Sequence, residues 1–116
     1  MTYFDAQSTT GGTPQLWDTI RDLVAWLDRS NGTSDHETSM RLLKVTEEAG
    51  EAAQAYITSR GQNPRKPKTG GDHQVADELV DVVVTALTAL HSFAPNPQAH
   101  FEAKLRQIRE RITDLD

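Results

Sequence analysis

The sequence predicts an all-α protein, a bundle of four helices, and three observations lead to it. Apolar residues recur at spacings of three and four in four separate stretches, which is the period of one helix face. Residues that start and stop helices bracket each stretch. Nowhere do apolar and polar residues alternate strongly enough to compete as a strand.

The chain of 116 residues suits one domain, 1–116, since single cores usually take about 100 to 200 residues. Residues 1–12, MTYFDAQSTTGG, read as a flexible tail. For the first helix, Thr13 is a good N-cap and Pro14 suits the first helical position. Leu16, Ile20, Leu23, Val24 and Leu27 then form an apolar face, and Asn31-Gly32 ends it. The second helix opens on Ser34-Asp35-His36-Glu37, the S-x-x-E form of a capping box, and runs to about Arg60.

The segment RGQNPRKPKTGG holds three glycines, two prolines and four basic residues, so 61–71 is expected to be a mobile basic loop. Asp72 is placed to cap the third helix, HQVADELVDVVVTALTALHSF, which ends before Ala94-Pro95. Asn96 and Pro97 start a fourth, through Phe101, Leu105, Ile108 and Ile112.

Composition narrows the function. A net charge of -5 argues against nucleic acid or an anionic membrane held by bulk electrostatics. The absence of cysteine removes disulfides and thiolate metal sites. Neither a signal-type N-terminus nor a membrane-length apolar run is present, so a cytoplasmic protein is the expectation. An apolar fraction of only 36% suggests that another subunit completes part of the burial, hence a homo-oligomer.

The stretch KVTEEAGEAAQAY gathers three acids. On a helical wheel Glu47, Glu48 and Glu51 fall within about 100° of one another, opposite Leu42, Val45, Ala49, Ala52 and Tyr56. Alone, that is the pattern of a solvated face. The third helix alters the balance. Its apolar residues cover more than half the circumference, so it should be buried on several sides, yet it carries Asp77, Glu78 and Asp81. No lysine or arginine occurs between Lys68 and Lys104, so the compensating charge must come from outside the helix. Two helices that each present acids three residues apart bring four carboxylates to one cleft, a donor set for Mg²⁺ or Mn²⁺.

EEAGE at Glu47 to Glu51 and ELVD at Glu78 to Asp81 resemble the E-x-x-E and E-x-x-D pair of the MazG-like, all-α nucleoside triphosphate pyrophosphohydrolase superfamily. The similarity spans roughly Trp17 to Arg111. It implies a four-helix-bundle-type fold completed as a homodimer or homotetramer. It also implies Mg²⁺-dependent cleavage of a nucleoside triphosphate between its α and β phosphates, giving a monophosphate and pyrophosphate. Glu48, Glu51, Glu78 and Asp81 match the metal ligands of that family. Glu47 matches a residue that orients or deprotonates the attacking water, and Lys44 one that faces substrate phosphates. Lys104 and Arg109 fall where the last helix of relatives carries basic residues, and the long basic loop departs from more compact members.

Other candidates are weighed beside these. Arg65, Lys66 and Lys68 either fold over a triphosphate or form a solvated loop. Trp17 and Trp26 either stack on a base or pack in the core, with packing favoured on an amphipathic helix. The four histidines lack metal-ligand spacing. Two alternatives stand beside the triphosphate reading. One is a phosphoribosyl-ATP pyrophosphohydrolase with the same chemistry. The other is a non-catalytic helical dimerisation or metal-binding module.

Overall fold

The computed structural model describes residues 12–115, and among them it holds four helices and no strand. They are α1 (Gly12–Asn31), α2 (Asp35–Ser59), α3 (Asp72–Leu90) and α4 (Pro97–Asp114). The expected tail lies outside the described residues except for Gly12. There α1 already begins, so Thr13 is inside the helix rather than capping it.

The corner between α1 and α2 turns at Gly32, whose φ of +83° is one that side-chain-bearing residues rarely adopt. Ser34 caps α2 as expected, its hydroxyl accepting from the Glu37 N–H at 3.2 Å. The reciprocal half of the box does not form, because the Glu37 carboxylate is engaged elsewhere. It accepts from Arg41 Nε at 2.8 Å and from Asn31 Nδ2 at 3.2 Å. Arg41, buried on α2, also donates to Asp28 on α1 at 2.9 Å and to the Gly32 carbonyl at 3.2 Å. One guanidinium thus ties together the end of α1, the turn and the start of α2.

α2 and α3 make the most extensive helix pairing. They run antiparallel, because Glu48 meets Asp81 while Thr58 shares a cavity wall with Gln74. The loop between them is drawn in at its neck. Arg60 reaches Asp72 at 3.2 Å and lies over the Tyr56 ring at 4.7 Å from its centroid. Asp72 therefore holds Arg60 instead of capping α3, where Gly71 is the N-cap without a side-chain bond. Asn63 makes a local turn, its carbonyl side-chain oxygen accepting from the Arg65 N–H at 3.0 Å.

The core lies at the other end of α3. Trp17 and Ile20 of α1 meet Leu87 of α3, with Val24, Val84, Leu90 and Phe101 around them. Phe101 presents its edge to Trp17 at 5.6 Å, which seats the start of α4 after its Asn96 cap. Trp17 is 1% exposed, so it packs and offers no face to a base.

Two expectations about burial change. α3 is covered only on some sides: Leu79, Val80 and Val83 remain 52–59% exposed. Its remaining apolar circumference is left uncovered by the described residues. The inward stripe of α2 is also rotated from the expected one. Arg41 and Ala52 are buried and Val45, Glu48 and Ala55 half-buried, whereas Leu42 and Tyr56 are exposed. Glu48 therefore belongs to the face toward α3 rather than to the opposite one.

Candidate metal centre

Three of the four acids expected to bind metal come together across the helices, because antiparallel helices place matching turns side by side. Glu48 of α2 and Glu78 and Asp81 of α3 each offer an oxygen within 4.8 Å of the other two. Glu47, Glu48 and Glu51 form a second group under the same limit, so Glu48 belongs to both. Ala52, buried one turn beyond Glu48, and Ala55 after it keep this side of α2 low. Larger residues there would hold the helices, and the carboxylates, further apart.

The electrostatics are those of an uncompensated cluster. Glu48 has its pKa raised above the ordinary carboxyl value, first by burial and then by the charges of Glu51 and Asp81. Lys44 opposes this from a distance, but its ammonium is hydrogen-bonded to Glu47 at 2.7 Å. That bond raises the Lys44 pKa and keeps the side chain charged. Among the described residues Glu48, Glu51, Glu78 and Asp81 form no ion pair.

Glu78 carries the observation that bears most on a ligand. Its Oε2 is shielded from solvent and, among the described residues, has no hydrogen-bond partner. A buried carboxylate oxygen left alone costs on the order of 1–3 kcal/mol or more, so such atoms are uncommon unless something else satisfies them. A divalent cation held by Glu48, Glu78 and Asp81 would supply that partner and offset the repulsion around Glu48. The donor set is all oxygen, which suits Mg²⁺ or Mn²⁺ over softer metals.

The basic candidates are dispersed. Lys44 lies beside the acids through Glu47. Lys66 lines a cavity with Gln54 and Asn63 at the loop, whereas Arg65 and Lys68 are exposed on that loop. The Lys68 stem packs at 3.5 Å from where a Cβ on Gly61 would stand. Lys104 and Arg109 are exposed on α4, and among the described residues neither pairs with an acid. Of the histidines, His91 Nδ1 donates to the Leu87 carbonyl at 2.9 Å at the end of α3, and His73 stands 3.5 Å from Asp77.

Sequence reasoning passed over Arg41, although its i,i+4 spacing from Glu37 signals the pair. It also passed over Gln54, Thr58 and Gln74, which continue the cleft beyond the acids. No family model, curated protein or solved structure matches the chain.

Proposed function

We propose that this chain is a MazG-like nucleoside triphosphate pyrophosphohydrolase. It splits a ribo- or deoxyribonucleoside triphosphate between its α and β phosphates into a monophosphate and pyrophosphate. The observation that carries this reading is the buried Oε2 of Glu78, without a hydrogen-bond partner among the described residues, in a group with Glu48 and Asp81 that forms no ion pair among them. The resemblance of EEAGE and ELVD to that superfamily's paired motifs supplies the reaction.

Glu48, Glu51, Glu78 and Asp81 would hold the Mg²⁺, and Mn²⁺ fits the same donors. When bound, the cation neutralises phosphate charge and lets a polyanion approach an acidic cleft. Glu47 takes the proton of the attacking water as that water's oxygen bonds to phosphorus and the α–β bridging bond breaks. Pyrophosphate leaves with the bridging oxygen. Lys44, held within reach by Glu47, faces the charge that develops on the phosphate oxygens.

Oligomerisation belongs to the same reading. Leu79, Val80 and Val83 on α3, and Leu105, Ile108 and Ile112 on α4, form apolar strips that the described residues leave exposed. A second copy of the chain completes the bundle on these faces.

The test is pyrophosphate release from a panel of canonical, deoxy and damaged triphosphates, with phosphoribosyl-ATP included, in Mg²⁺ and in EDTA. Activity that needs Mg²⁺ and disappears in Glu48→Gln and Asp81→Asn is the expected result. Release that persists unchanged in either variant rules out the assignment.

A further inference from the structure

The acids fill only one end of the cleft between α2 and α3. Toward the C-terminus of α2 the cleft continues as a cavity of about 250 Å³, with Glu51 and Glu78 at one edge and Gln54, Thr58 and Gln74 beyond them. A second cavity of about 250 Å³ shares Gln54 and Thr58 and ends against the loop at Asn63 and Lys66. Each alone falls a little under the size of small-molecule sites, which run from about 300 to 1,000 Å³, and Gln54 and Thr58 border both. Helical spacing explains the alignment. Glu51, Gln54 and Thr58 stand three and four residues apart on α2, and Gln74 and Glu78 four apart on α3, so each pair of turns adds its side chains to one line.

The chemistry changes along that line from carboxylates to carboxamides and hydroxyls, and then to one amine. One carboxamide is also held in place. Gln54 Nε2 donates to Thr58 Oγ1 at 3.1 Å, which leaves its second N–H and its carbonyl oxygen for a ligand. Gln74 lies over Gly70, whose φ is +71°, and a Cβ at Gly70 would collide with the Gln74 carboxamide oxygen. Glycine at that position thus serves both the turn and the seat of the amide. Among the described residues the Gln74 carboxamide has no hydrogen-bond partner of its own. Half-buried Ala55 leaves the floor between the two glutamines open.

A phosphate, which only accepts, would use the N–H groups of a carboxamide and leave its carbonyl oxygen idle. A nucleobase edge, with donors and acceptors side by side, matches both, as does a sugar hydroxyl. We propose that this groove receives the nucleoside part of the substrate, with Gln54 and Gln74 reading the base and Thr58 supporting Gln54. The proposal rests on the pyrophosphohydrolase reading and extends it: the 61–71 loop borders the nucleoside, and Lys66 stands at that end rather than over the phosphates. Substrate preference is then set by α2, α3 and this loop, separately from the acids that set the reaction.

Titration calorimetry on the full chain in Mg²⁺ separates the two ideas. The probes are inorganic tripolyphosphate and α,β-methylene triphosphates of adenosine, guanosine, cytidine and uridine. At least one nucleotide should bind about tenfold or more tightly than tripolyphosphate, a margin that one or two well-placed hydrogen bonds supply. In Gln54→Ala/Gln74→Ala the ratio of the two affinities should fall about tenfold. Ala55→Leu should lower the same ratio by filling the groove while keeping a good helix former, and circular dichroism checks that both variants fold. A wild-type protein that binds every nucleotide no better than tripolyphosphate overturns the groove, as does a ratio unchanged in both variants. If neither tripolyphosphate nor any nucleotide binds in Mg²⁺, the pyrophosphohydrolase reading itself fails and the groove proposal falls with it.

Discussion

A carboxylate oxygen of Glu48 on α2 lies within 4.8 Å of one of Asp81 on α3, and the two residues are 33 positions apart in the chain. Their charges oppose the pairing of the helices that carry them. That relationship gives the first two expected outcomes.

In metal-free buffer, Glu48→Gln should be at least as stable as the wild type, since it removes a charge that Glu51 and Asp81 both repel. Saturating Mg²⁺ should raise the wild-type melting temperature by about 5 °C or more, because ligand binding to the folded state alone adds stability. Little of that rise should remain in Glu48→Gln. Thermal melts in EDTA and in Mg²⁺ measure both.

The same difference should depend on pH with a definite sign. The Glu48 pKa is raised on folding above its ordinary value of 4.5, so folding favours the protonated form. Any stability it contributes is present below the unfolded value and is lost as pH rises through the folded one. The gap between Glu48→Gln and the wild type should therefore be small at acid pH and open as pH climbs from 4.5. Urea titrations of both proteins from acid to neutral pH, without metal, give the gap directly. A gap that widens toward acid excludes the mechanism.

Arg41 stands apart from the acids and holds the α1–α2 corner through Asp28, Glu37 and the Gly32 carbonyl. Replacing it by alanine leaves a buried hole and two carboxylates without their partner. A loss of about 2 kcal/mol or more is expected. Arg41→Lys should recover only part, since an ammonium does not span three acceptors in a plane. Denaturant midpoints of the three proteins test this.

Val83 faces outward on α3 at 54% exposure, among Leu79 and Val80. If a second copy covers that face, Val83→Glu places a charge in the contact and should lower the oligomer mass seen by light scattering. Helix content should stay as in the wild type. An assembly that persists unchanged points to α4 as the contact instead.

Much of this architecture was legible in the chain. Asn31-Gly32, Ser34, Asn96 and Pro97 mark helix ends through local backbone chemistry, and each lies within a residue or two of an observed boundary. The acid motifs were legible for the same reason, since spacing along one helix is a local property. Periodicity was less informative about direction. It separated the acids of α2 from Leu42 and Tyr56, but which side would meet α3 depended on the partner, and the partner chose the stripe of Arg41, Glu48 and Ala52.

The sequence by itself determined an all-α chain, its four helices and two acidic pairs, the second on a helix without lysine or arginine, because caps, turns and helical period act over a few residues. Only the tertiary structure decided that Glu48, Glu78 and Asp81 share one cleft, that Glu78 Oε2 is left without a partner, and that Gln54 and Gln74 extend the cleft. It also put Trp17 in the core and the loop lysine Lys66 in one cavity with Gln54. Those facts depend on how α2 is rotated and how closely it approaches α3, which packing of the whole surface settles and no single segment encodes.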